Sequence, residues 1–250
     1  MPDRTTFLKA VGDAFPDDRL TWQKTIPTFH PQSADEAGQI FRLANQHSQK
    51  CFITGFGNNI DPIGSPFDQM VTVRTDRLNN LMEVAEQDLY VKVGAGYPLK
   101  ELNLDIAKSK IFLPHSDLPY VGSFGGGVAA GLSADLNGRD WPIKKYFIKA
   151  EIVTPLGEII TPGSVCFKSV SGYDIVKLYA GSWGLYGLIT SLWFRVLPDT
   201  ARHEFQSLTQ KPLDRTLFLQ AMERGNESTD AVYTRKIKEK FDPNGILPVV

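Results

Sequence analysis

Four glycine clusters punctuate the middle of this chain, and they limit its fold more than any other feature: Gly55-Phe56-Gly57, Gly94-Ala95-Gly96, Gly122-Ser123-Phe124-Gly125-Gly126-Gly127, and Gly181-Ser182-Trp183-Gly184 with Gly187. Glycine tolerates positive φ and carries no Cβ, so main chain built this way can approach a ligand closely. Successive amide N–H groups facing one way make a concave site for an anion such as a pyrophosphate. A helix starting after Gly125 adds its positive end to such a site. Any one cluster also suits a plain turn between strands. The first and third, however, follow predicted strands or loops that can converge on one groove. Neither forms the strand, Gly-x-Gly-x-x-Gly, helix unit of nicotinamide enzymes: Gly55-Phe56-Gly57 lacks the third glycine, and no helical pattern follows it. A phosphate loop ending in Gly-Lys-Ser/Thr is absent as well.

The segments around these clusters read as short alternating helices and strands. Ser33 as N-cap with Glu36 three residues on predicts a helix start, and Ala37, Ile40, Phe41 and Ala44 follow at helical spacing. Cys51 to Thr54 and Val71 to Arg74 read as buried strands, and 81–94 as two strands joined at Glu86-Gln87-Asp88. Pro98 opens a predicted helix to about Lys108. A short helix is expected within Gly122 to Gly131, a hairpin from 147–154 and 158–161, a helical turn over Tyr173 to Tyr179, a strand over Leu188 to Leu197, and a last helix over Val232 to Phe241. The expected division is a first lobe at 1–97, a second at 98–198 and an appendage at 199–250.

The formal net charge of the 250 residues is -1, so no basic field exists to attract nucleic acid. Cys51 and Cys166 sit among apolar neighbours and read as buried, reduced thiols. Two cysteines cannot supply the four thiolates of an iron–sulfur cluster, and no metal site is expected. No signal-peptide pattern opens the chain and no run approaches the roughly 20 apolar residues of a membrane span, which predicts a cytoplasmic protein.

Five blocks, in order, resemble the FAD-binding (PCMH-type) domain of the vanillyl-alcohol oxidase family of FAD-linked oxidases. These are Ile53 to Asn59, Val91 to Gly96, Val121 to Gly131, the distinctive pair Phe167 to Leu178 and Gly181 to Thr190, and Ile237 to Leu247. Their order and spacing are similar to flavin subunits of glycolate oxidase, the smaller one above all. The resemblance implies an α+β, two-lobed fold with a truncated C-terminal substrate (cap) domain, because about 35 residues separate Asp199 from the terminal block. It implies FAD as cofactor, with the pyrophosphate against Gly55, Gly57, Asn58, Asn59, Ser123, Gly126 and Gly127. It places Pro114, His115, Ala130, Gly131 and Ile189 around adenine and isoalloxazine, and extends the cofactor set to Thr54, Phe56, Gly122, Gly125 and Gly187.

The chain departs from the family where several members carry a histidine that bonds the flavin covalently; Asn58 stands at the corresponding position, so binding is expected to be non-covalent. His115 is an outside candidate for such a link or for a ring contact. Lys144-Lys145 replaces an Arg-Asp pair. No catalytic residue can be named: His203 is the only histidine of the appendage, and Asp214, Glu223 and Glu227 read as surface charges. The resemblance implies an oxidoreductase subunit that accepts or relays electrons from 2-hydroxyacid oxidation, working with a larger flavin or iron–sulfur subunit. A non-catalytic FAD-binding or assembly subunit is the alternative. UDP-N-acetylenolpyruvoylglucosamine reductase shares the fold but needs a larger substrate domain.

Overall fold

Ser33 starts a long helix as its sequence predicts: its side chain accepts a hydrogen bond from the Glu36 amide at 3.1 Å, satisfying a donor that the helix itself leaves free. In this computed structural model, which describes residues 4–59, 64, 66–165, 175–223 and 225–249, that helix is α2 (Ala34–Gln46), preceded by α1 (Arg4–Ala14), β1 (Leu20–Gln23) and β2 (Ile26–Phe29). Then come β3 (Cys51–Thr54), β4 (Val71–Arg74), β5 (Leu81–Ala85), β6 (Tyr90–Gly94), α3 (Leu102–Asp105) and β7 (Ile111–Phe112). After them follow α4 (Phe124–Ala129), β8 (Ser133–Leu136), β9 (Arg139–Pro142), β10 (Phe147–Val153) and β11 (Ile159–Ile160). β12 (Leu188–Arg195), β13 (Leu197–Pro198), β14 (Thr209–Gln210), α5 (Thr216–Met222) and α6 (Thr229–Phe241) complete the described elements. Cys166 and most of the distinctive block beginning at Phe167 lie outside the described residues.

Two principal sheets result. One has the order β1-β2-β4-β3, with β4 parallel to both β2 and β3. The other is antiparallel, in the order β11-β10-β12-β6-β5. Alternation along β6 buries Val91 and Val93 and inserts that strand beside β12. The chain passes from the first sheet to the second between Arg74, which ends β4, and Leu81, which begins β5. The hairpin of β10 and β11 forms as expected, with Ile152 opposite Ile160 and Val153 opposite Ile159.

The helix expected from Pro98 to Lys108 is instead a chain of short pieces: a 3-10 turn at Leu99–Glu101, α3, and a second 3-10 turn at Ala107–Ser109. The apolar spacing is helical, with Leu99, Leu102 and Ile106 buried. Asn103 breaks the run, because its side chain bonds both the amide (2.8 Å) and the carbonyl (3.0 Å) of Leu113 and ties α3 to the residue just past β7. Lys110, in the left-handed region at φ 53°, then turns the chain away. The last helix begins at Thr229, three residues earlier than expected, because Ser228 caps it by accepting from the Ala231 amide.

One core gathers the antiparallel sheet, α4 and the aromatic side chains Phe124, Phe147 and Phe194. A second gathers α1, α2, β3 and β4, together with Val153 and Leu188 from the ends of the larger sheet and Ile246 and Leu247 from the C-terminal tail. The tail lies against β3: the Cys51 amide donates to Ile246 O at 2.7 Å. Cys51 is fully buried there, and burial pushes its thiol pKa up to about 12, so it stays protonated and unreactive. Among the described residues no helix is long and apolar enough to cross a membrane.

Candidate functional site

A cleft of about 770 Å³, counting its open mouth, runs between the two sheets. Its walls come from residues 52–59 of β3 and the loop that follows it, residues 120–130 around α4, and residues 182–189 leading into β12, with Thr75 also lining it. The first, third and fourth glycine clusters thus meet in one place. Of the sequence-predicted contacts, Thr54, Gly55, Phe56, Gly57, Asn58, Asn59, Gly122, Ser123, Gly125, Gly126, Ala130, Gly187 and Ile189 line it.

Pro114, His115, Gly127 and Gly131 are not among the lining residues. Pro114 begins a buried 3-10 turn. Gly127 faces Tyr120, Leu132 and Ile143, and Gly131 lies against the Gly181 backbone. His115 is fully buried, its Nε2 bonded to Trp141 O at 2.8 Å and its ring edge-on to Tyr146. Conversely, Phe52, Ile53, Thr75, Tyr120, Ala129, Ser182, Trp183 and Gly184 line the cleft without having been expected as contacts. Ile53, Ala129, Ser182, Trp183 and Gly184 stood inside the quoted blocks; Thr75 and Tyr120 gave no local signal.

The loops approach each other because side chains are missing. A β-carbon on Gly55 would sit 2.8 Å from Ser123 Oγ, and one on Gly125 2.8 Å from Ala95 Cβ. Ser123 caps α4, its Oγ accepting from the Gly126 amide at 3.1 Å. Tyr120 fills the space left by Gly122, Gly126 and Gly127: a β-carbon on Gly126 would stand 3.2 Å from its hydroxyl. Burial raises the pKa of that hydroxyl, against a hydrogen bond from the Asn59 side chain. Asn58 Nδ2 donates to Val121 O, which latches the first loop to the second.

None of the described lining residues carries a formal charge at neutral pH, and no cluster of metal-ligating side chains occurs among the described residues. What the cleft offers is main-chain amides, hydroxyls and apolar surface. These fit FAD: a pyrophosphate needs close backbone donors, which Gly55 and Gly57 leave accessible, and a flat ring needs walls such as Ile53, Trp183 and Ile189.

His115 makes a pH prediction outside the cleft. Burial lowers its pKa to about 4, the Lys145 charge acts in the same direction, and the bond to Trp141 O opposes both. The unfolded chain, with an ordinary histidine near pKa 6.5, binds the extra proton first. Stability contributed by the neutral ring is therefore complete above about pH 6.5 and is lost as pH falls to about 4, by up to roughly 3 kcal/mol. Urea unfolding at pH 7.5 and pH 4.5 should show this loss in the parent chain and a smaller one in His115→Gln. Equal losses in both would rule the ring out as the cause.

Comparison with known proteins places these observations in a family context. A family model described as an FAD binding domain matches residues 27–163. The glycolate oxidase subunit GlcD of Bacillus subtilis (strain 168) is 25% identical over 169 residues, covering 67% of this chain and 36% of that protein. The D-lactate dehydrogenase of Anaerostipes hadrus is 26% identical over 202 residues, 79% of this chain and 42% of that protein. A solved alkyldihydroxyacetonephosphate synthase superposes with a TM-score of 0.65 at 20% identity, covering 78% of this chain and 40% of its own; at that identity the likeness is one of fold. The chain thus spans well under half the length of each of these relatives.

Proposed function

The chain belongs to the FAD binding domain family of FAD-linked oxidoreductases, and from that premise we propose that it is the flavin-holding part of an enzyme system oxidising 2-hydroxyacids. The observation that carries the reading is the meeting of three glycine-bearing stretches in one neutral cleft. Glycolate and D-lactate, in the names of two relatives, are both 2-hydroxyacids. When bound, FAD supplies the redox chemistry. The protein's part is to hold and orient it: the amides of residues 55–59 face the phosphates, the internally bonded start of α4 at 124–127 backs that loop as a fixed wall, and Ile53, Trp183 and Ile189 flank the rings and exclude water. Asn58 stands where a covalent link would need a histidine, and its amide is engaged with Val121 O, which supports reversible binding.

A relay or assembly role beside a larger flavin or iron–sulfur subunit is the second reading. The absence of an ionisable acid or base among the described lining residues, Tyr120 apart, favours it, since a general base must reach within about 3 Å of the proton it removes. The purified chain should be yellow, and acid should release the colour. A colourless protein that does not respond to added FAD in a fluorescence titration rules out the cofactor assignment. Anaerobic mixing with glycolate and D-lactate, with and without co-purifying proteins, separates the two roles: bleaching by the chain alone supports catalysis, bleaching only with a partner supports relay.

A further inference from the structure

We propose that Arg74, Asp76 and His30 form a positioning relay that sets the phosphate-binding face of the first glycine loop through the carbonyl oxygen of Phe56; this rests on the FAD reading above. Arg74, at the end of β4, donates from Nη2 to Phe56 O at 3.0 Å. Its Nε lies 3.3 Å from Asp76 Oδ2, an ion-pair contact that is off the line of a hydrogen bond. The other carboxylate oxygen, Asp76 Oδ1, meets His30 Nδ1 at 2.8 Å, and His30 Nε2 meets Thr21 Oγ1 at 2.8 Å. One carboxylate thus holds the guanidinium on one side and the imidazole on the other. Facing a carboxylate, Nδ1 carries the proton, so Nε2 of the neutral ring accepts from the Thr21 hydroxyl.

The consequence follows from the planarity of the peptide unit. In a trans peptide the C=O of one residue and the N–H of the next point in opposite directions. Arg74 is not among the cleft-lining residues, whereas Phe56 and Gly57 both are. Drawing the Phe56 carbonyl toward Arg74 turns the Gly57 N–H the opposite way. Gly57, at φ 82°, has no β-carbon to restrain its own plane, so the grip on the preceding carbonyl decides where that amide points. His30 is 8% exposed, while the Arg74 and Asp76 side chains are each 29% exposed, so the ion pair itself adds little to folding. Its worth lies in the loop's geometry.

The test is FAD affinity by flavin-fluorescence titration for the unmodified chain and for Arg74→Met, Arg74→Lys, Asp76→Asn and His30→Gln, alongside the melting temperature of each FAD-free chain. Loss of the charge-assisted bond in Arg74→Met is expected to weaken FAD binding by about tenfold or more. Arg74→Lys, which keeps a donor within reach of Phe56 O, should recover part of that loss. Asp76→Asn frees the guanidinium to swing and should weaken binding by at least about threefold, and it carries the test if Arg74→Met does not fold. Melting temperatures of the FAD-free chains should agree within about 2 °C. An Arg74→Met chain that binds FAD as tightly as the parent overturns the relay and leaves the cofactor reading intact. Affinity falling only in step with melting temperature, with no recovery by lysine, also overturns it. A parent chain that binds no FAD removes both.

Discussion

Replacing Gly96 by alanine is expected to destabilise the chain by more than about 3 kcal/mol and to abolish FAD binding with it. A β-carbon at this position would be driven into the Thr75 carbonyl oxygen and would stand 3.1 Å from Asp76 Cα. Neither side can yield. The Gly96 amide is bonded to Leu78 O at 2.8 Å, the neighbouring Ala95 amide to Thr190 O at 2.9 Å, and the Phe124 amide to Tyr97 O at 2.9 Å. Those bonds join β6, β12 and the start of α4 around one point, so any relief must move backbone rather than a side chain. Thr75 also lines the cleft, and its hydroxyl reaches Thr54 O at 3.5 Å. Urea unfolding reads the stability and fluorescence titration reads the cofactor. A variant within about 1 kcal/mol of the parent would show that the two sheets can slide apart here at small cost.

Asp242→Ala is expected to cost about 3–5 kcal/mol, the range for removing one partner of a buried ion pair. Asp242, 4% exposed, accepts from the amides of Ile246 and Leu247 at 2.9 Å each and pairs with the Lys238 ammonium one helical turn back. Desolvation already lowers the Lys238 pKa against the pull of Asp242. Without the carboxylate, that cation and two amides are left in a site where little water can serve them. The tail holds β3 through the bond from the Cys51 amide, and Lys50 Nζ donates to Gly245 O at 2.7 Å. Loosening it should therefore relax the base of the first glycine loop. Asp242→Asn keeps one acceptor oxygen, enough for the Ile246 amide, but turns an NH2 toward the Leu247 amide and the Lys238 ammonium, so it should recover little of the alanine loss. An asparagine variant as stable as the parent would mean that the second oxygen and the ion pair contribute nothing.

Much of this was legible in the sequence where the signal is local. The Ser33 cap, the alternation of Val91 and Val93 and the order of the glycine blocks depend on residues a few positions apart, and each appears where expected. Signals that depend on distant partners were not legible. Tyr120 enters the cleft only because Gly122, Gly126 and Gly127 leave room for its ring, and its partner Asn59 is some sixty residues away. The resemblance named His115 as a flavin neighbour, but sequence could not show that its ring bonds Trp141 O and stands edge-on to Tyr146, both some thirty residues away. The strand pairs β1–β2 and β8–β9 escaped notice because Pro27, Asp135, Asp140 and Pro142 interrupt them, whereas the equally short β3 opens on an apolar run. The helix expected after Pro98 was undone by Asn103, whose side chain bonds the backbone of Leu113, ten residues on, just past β7.

The walls of the cleft are drawn from positions 52 to 189, and no contiguous stretch contains enough of them to grip anything. Whatever stabilisation the cofactor brings by mass action therefore reaches molecules in which these stretches have come together. Bound flavin would thus mark finished molecules, and those left empty would be the first exposed to degradation.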